Sequence, residues 1–405
     1  MMNFRYVYSA FAAAYLLSYL FRTANAVISP ELSRELALNP SALGLLTSAY
    51  FLAFAAMQLP VGMLLDRYGP RRVEPVLLGI ASLGSFLFAY AETILGLTMA
   101  RALIGLGVCA CLMAPLKAIA TWYPPEKQAS LSGWIMVAGA SGVLAATAPL
   151  EFALRFTSWR IVFIALGFCT LAAAVAIWWR VPDIPKPQGS VGLAAQWSGV
   201  RSVFRHPRFW WIAPLAAVGM GSFMAVQGLW AVPWLLEVEG ETRPGAAQHL
   251  LAMSIVIIAL YVALGIMGTR LARRGVHARH LFACGFTVNT LALSAIILRV
   301  PGSYVWWSLY GLGASVNVLA FAVLTEGFGR ELAGRTNTAL NLLMFASSFL
   351  AQWGIGVIVD ATRVASALDE AGGLRAAFAL ILVLLIASNA WFVWGWRQHA
   401  ARHES

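Results

Sequence analysis

Continuous apolar runs of about twenty residues follow one another along this chain, and spanning helices are nearly all that can be built from them. A transmembrane barrel needs alternation of apolar and polar residues, which these runs lack. Only 11% of the residues are charged against 60% hydrophobic, where a soluble domain carries about 25% charged residues. The runs predict helices over 6–28, 42–65, 73–91, 93–122, 130–150, 159–181, 209–236, 247–269, 280–298, 303–325, 336–359 and 375–396. That is an all-α membrane protein of twelve transmembrane helices, in an N-terminal half 1–181 and a C-terminal half 209–405 joined by a linker 182–208. The linker holds Pro182, Pro185, Pro187, three glycines and mostly basic charge. The opening Met1-Met2-Asn3-Phe4-Arg5 leads into a helix too long for a signal-peptide core, so Ala12-Ala13-Ala14 is not read as a cleavage site.

The net charge of +11 raises the question of a nucleic-acid partner, and its distribution answers it. With the amino terminus inside, about 19 of the 28 Lys and Arg fall in inner loops, the bias that orients membrane proteins. We therefore expect a multi-pass, bacterial-type inner-membrane protein with both termini cytoplasmic, a monomer in the bilayer that binds no nucleic acid. Cys109, Cys111, Cys169 and Cys284 lie in apolar stretches without metal-ligand spacing and read as small core residues. No cofactor or metal is expected. The loops carry no catalytic constellation and no phosphate-binding loop, so the chain is not read as an enzyme.

Between the second and third runs stands Gly62-Met63-Leu64-Leu65-Asp66-Arg67-Tyr68-Gly69-Pro70-Arg71-Arg72. It resembles the G-x-L-x-D-R-x-G-x-R-R signature of the major facilitator superfamily, and the resemblance implies a secondary transporter working by alternating access. By that resemblance Asp66 caps the start of the eleventh helix, near Thr336 to Thr338, when the protein is closed to the cytoplasm. Gly62 and Gly69 shape the loop, and Arg67, Arg71 and Arg72 bridge neighbouring helix ends or serve only as topology signals. Arg101-Ala102-Leu103-Ile104-Gly105-Leu106-Gly107 resembles the superfamily's R-x-x-x-G-x-G motif, whose Arg is tied to proton coupling or to holding helices together. Gly265-Ile266-Met267-Gly268-Thr269-Arg270 echoes the loop 203 positions later, and Gly311-Leu312-Gly313 echoes Gly105-Leu106-Gly107 after 206. Two echoes at nearly one offset fit two six-helix halves with a substrate site at midplane.

Arg22 is the sharpest candidate for substrate binding. An intramembrane charge is costly and marks function by default. Tyr8, Tyr15, Tyr19, Arg22 and Asn25 follow at steps of 7, 4, 3 and 3, so they share one helical face. A guanidinium there suits a carboxylate or phosphate through paired hydrogen bonds. Tyr19-Leu20-Phe21-Arg22 also resembles the first helix of organophosphate:phosphate antiporters and anion:cation symporters, whose Arg binds the substrate anion. The phosphate antiporters carry a second Arg on helix 7, where this chain has none, which favours a single carboxylate or an otherwise neutral substrate. The competing reading has Arg22 snorkelling or pairing structurally with Glu31 or Glu151. On helix 7, the mate of helix 1, Phe223, Gln227, Trp230 and Trp234 form a second stripe, and helix 11 adds Asn341, Phe345, Ser348 and Gln352. These either line the cavity or pack between helices.

No Asp, Glu or His lies near the middle of any predicted helix, which leaves Glu151 and Glu326 at helix ends as the coupling candidates. Lys117 is either a second cation in the anion path or a side chain reaching the interface. The expectation is a proton-coupled carrier of a small organic anion, held by Arg22, Tyr15, Tyr19, Asn25, Gln227, Trp230 and Asn341. Two alternatives stand beside it. The drug:proton antiporter motif on helix 5 is absent, but an exporter of amphipathic compounds or drugs is still open. A non-transporting sensor would not need Asp66, the loop glycines or Arg101.

Overall fold

A computed structural model describes residues 4–183, 198, 201–274, 277–325, 328, 333–366 and 369–401. Among these the chain is helical throughout, and two compact units emerge: residues 1–38 with 45–196, and residues 39–44 with 197–405. Among the described residues, nine helices are long and apolar enough to cross a membrane unaided, and two bent pairs bring the number to eleven. Most of the expected linker lies outside the described residues.

The first unit runs α1 (Phe4–Leu36), α2 (Pro40–Ala56), α3 (Gln58–Tyr68), α4 (Pro70–Tyr90), α5 (Ile94–Gly107), α6 (Met113–Trp122), α7 (Pro125–Ala145), α8 (Ala148–Leu154) and α9 (Trp159–Arg180). Here α1 packs on α7 and α9, while α4 packs on α5 and α9. Glycine makes the closest approaches possible. A Cβ on Gly105 would strike the Tyr50 carbonyl, and one on Gly142 the Leu16 carbonyl.

The second unit runs α10 (Pro207–Ala225), a π-turn (Val226–Trp230), α11 (Ala231–Glu237), α12 (Arg243–Arg273), α13 (Ala278–Ile297), α14 (Ser303–Tyr310), α15 (Leu312–Asn317), α16 (Leu319–Thr325), α17 (Ala333–Ser366) and α18 (Glu370–Ala401). Residues 39–44 belong to this unit, where the Ser41 N–H donates to the Asp360 carboxylate at 2.9 Å.

Several spans expected to be continuous are broken, and proline explains four of the breaks. A helical proline has no N–H and its ring collides with the carbonyl four residues back. Pro60 acts on Ala56, where α2 gives way to α3 with a 48° bend. Pro149 acts on Ala145, where α7 and α8 meet at 41°. Pro115 acts on Cys111, inside the irregular turn 108–112 between α5 and α6, and Pro233 acts on Leu229, inside the π-turn. Pro30, Pro75 and Pro214 leave their helices whole. Cys109 and Cys111 are buried as expected, but Cys169 and Cys284 lie on the outer surface, so they are not core residues.

Candidate functional site

The polar face of α1 divides in two. Tyr15 and Tyr19 meet edge to face at 5.0 Å between centroids, with their hydroxyls 3.4 Å apart. The Arg22 guanidinium lies next to them, 4.5 Å from the Tyr19 ring and 5.4 Å from that of Phe54 on α2. Rings at these distances attract the cation electrostatically while costing it water. Arg22 is 8% exposed and Tyr15 4%. The result is a buried cation set in an aromatic cage.

Asn25 points elsewhere. With its amide oxygen turned toward Arg101, the Arg101 guanidinium donates to it from Nη2 at 2.8 Å and from Nε at 3.2 Å. Arg101 also donates from Nη1 to the Phe21 carbonyl at 3.1 Å, and lies between the Tyr50 and Phe88 rings. Arg101 therefore locks α5 to α1. Asn25, expected among the substrate ligands, is part of that lock.

At the loop motif, Asp66 on α3 pairs with Lys117 on α6. Lys117 is thus held by a carboxylate rather than standing as a second cation. Arg71 reaches Asp183 at 3.1 Å and the Trp178 carbonyl at 3.2 Å, and Arg72 reaches Asp183 at 3.5 Å. Both arginines tie the start of α4 to the end of α9, more than a topology signal requires. Arg67 lies over the ring of its neighbour Tyr68. Gly69 has φ +77°, a conformation that favours glycine, and lets α3 turn directly into α4. Open space surrounds Gly62.

In the second unit the π-turn carries both Gln227 and Trp230. Trp230 donates to the Gln352 carbonyl on α17 at 2.8 Å and is 1% exposed, so its indole is tied into packing. Trp234 stacks on Phe378 and donates to Glu239 at 3.0 Å. Gln227 is buried too, at 8% exposed, and Asn341 is half-buried.

The coupling candidates fall differently from expectation. Glu151 forms an ion pair with Arg155 one turn along, at 3.0 Å. Glu326 lies outside the described residues. Two ionisable groups inside helices were passed over. Glu74, in the second turn of α4, is fully buried, and His249 in α12 is 1% exposed and stacked on Tyr304. Both lie near the ends of the predicted helices, and packing from neighbouring helices buries them.

Residues 11–352 match the family model described as Major Facilitator Superfamily. The chain belongs to that superfamily. It is 25% identical to the hexuronate transporter of Escherichia coli (strain K12) over 382 residues, covering 85% of each chain. It is 28% identical to a chloramphenicol resistance protein of Pseudomonas aeruginosa over 337 residues, covering 80% of this chain and 76% of that one. An uncharacterized transporter of Bacillus subtilis (strain 168) and a probable sulfoacetate transporter of Cupriavidus necator match at 32% and 30% identity over less than half of either chain. Among solved structures, a bacterial homolog of the human lysosomal transporter Spinster, inward-facing and occupied, superposes with a TM-score of 0.78 at 19% identity, covering 97% of both chains. The fold is that of the twelve-helix, two-half carriers, and the protein is a membrane transporter rather than an enzyme.

Proposed function

We propose that this transporter moves a small organic anion, a carboxylate, across a bacterial inner membrane by alternating access, with both termini cytoplasmic and with protons as the coupling ion. The Arg22 guanidinium, caged by Tyr19, Phe54 and Tyr50 on the face of α1 that also bears Tyr15, carries this reading. The planar geometry of a guanidinium matches that of a carboxylate, which two parallel N–H donors can hold. The tyrosine hydroxyls beside it suit the hydroxyl groups of a sugar acid. The name of the hexuronate relative points to the same cargo chemistry. Gln227 and Asn341 are assigned to contacts with the uncharged part of the cargo, and the Asp66–Lys117 pair to the conformational gate. Uptake of labelled D-galacturonate into proteoliposomes tests this: wild type accumulates it and Arg22→Gln does not.

The chloramphenicol resistance relative favours a second reading, export of amphipathic compounds, in which Arg22 only holds α1 against α2. Under that reading Arg22→Gln would handle neutral drugs as well as the wild type does.

A further inference from the structure

Glu74 has no part in the arrangement described so far. Its carboxyl is fully buried, and among the described residues no hydrogen-bonding partner is found for either oxygen. Its polar neighbour is the Cys111 thiol, a weak donor. Charged groups on the elements packed around α4 are engaged elsewhere: Arg67 on α3 lies over the Tyr68 ring, and Arg180 at the end of α9 has interactions of its own. Asp66 on α3 pairs with Lys117 on α6, Arg101 on α5 holds Phe21 and Asn25, and Arg160 on α9 pairs with Glu35. On α4 itself Arg71 and Arg72 pair with Asp183.

An ionised carboxylate in such a place would lack both water and a counter-charge, and its desolvation would go uncompensated. The neutral acid is the form this packing accommodates. Cys111 also belongs to the irregular turn 108–112, where Pro115 interrupts the span that α5 and α6 form.

We propose that Glu74 is a proton-binding site whose ionisation is tied to the turn 108–112. The proton stays on the carboxyl while the turn packs against it. It passes to water when the turn moves and water enters, leaving a hydrated carboxylate. Because the packed arrangement binds the proton more tightly than the open one, acid favours the packed arrangement and alkali the open one. The use of this proton to drive cargo rests on the organic-anion reading; the proton site does not.

Infrared difference spectroscopy of the full-length protein in lipid vesicles, titrated through the neutral range, reads the site directly. Wild type should show loss of a protonated-carboxyl C=O band on going to alkaline pH, and Glu74→Gln, which matches the neutral acid in shape, should lack it. Amide hydrogen exchange over 108–112 should be equal in the two proteins in acid and at least severalfold faster in wild type in alkali. A wild-type spectrum indistinguishable from that of Glu74→Gln, or exchange equal at every pH, overturns the proposal. In proteoliposomes Glu74→Gln should keep D-galacturonate counterflow and lose accumulation driven by a pH gradient. If wild type moves no D-galacturonate, the cargo reading fails while the spectra and exchange still decide Glu74.

Discussion

Helix α1 and the α10–α11 segment hold equivalent places in the two halves, yet they solve different problems. On α1 a single charge is buried unbroken within a long helix, and rings from α1 and α2 enclose it. In the second half the stretch 220–230 holds no Lys or Arg, and the helix is instead distorted into a π-turn at Gln227 and Trp230. Such turns shift the side-chain register locally and recur at functional sites. On the organic-anion reading, α1 supplies the charge and the π-turn supplies neutral hydrogen-bonding groups. If that division holds, α1 sets whether an anion binds and the π-turn sets which anion.

The largest effect is expected from Arg22→Gln. Loss of a charge-assisted pair is worth about 3 kcal/mol, so carboxylate affinity should fall by roughly a hundredfold, measured as the apparent Kd in a binding titration. An equal loss from Gln227→Ala would sink the division of labour.

Next in size is a packing effect in the first half. Gly105→Ala would drive a methyl into the Tyr50 carbonyl, lowering stability by about 1–3 kcal/mol. Thermal unfolding in detergent reports it, and an unchanged melting temperature would show that α2 and α5 can separate freely. Gly62→Ala is its matched control, expected to melt within about 0.5 kcal/mol of wild type.

Gln227→Ala should be milder, since a neutral hydrogen bond contributes about 1 kcal/mol, or roughly fivefold in affinity. Its diagnostic is selectivity: a panel of sugar acids should be reordered rather than uniformly weakened. Pro233→Ala should sharpen the comparison most finely. By restoring an N–H at that position it lets the π-turn relax toward regular α-helix, turning Gln227 relative to Trp230. We expect a similar change in selectivity with little loss of stability, checked by the same panel and a melt.

Much of this was legible in the sequence. Each of the up to eleven spans found among the described residues overlaps an apolar run, because a bilayer leaves the backbone few other options. The steps between Tyr15, Tyr19 and Arg22 placed them on one face, and the structure packs them together. Asn25 shared the same steps but turned out to hold Arg101, a contact 76 positions away that no local period encodes. The breaks were written in Pro60, Pro115, Pro149 and Pro233, yet hydropathy averages over them. Glu74 was hidden by its place beside a charged loop, and only the packing of α4 against its neighbours showed it to be buried.

Ligand-induced thermal stabilisation of the purified full-length protein tests the central claim most directly, with D-galacturonate and chloramphenicol as probes and Arg22→Gln beside wild type. Binding raises stability by RT ln(1 + [L]/Kd), so even weak ligands register at high concentration. D-galacturonate should raise the melting temperature of wild type and leave that of Arg22→Gln unmoved. Stabilisation by chloramphenicol alone, equal in both proteins, would contradict it and make Arg22 a packing residue of an exporter.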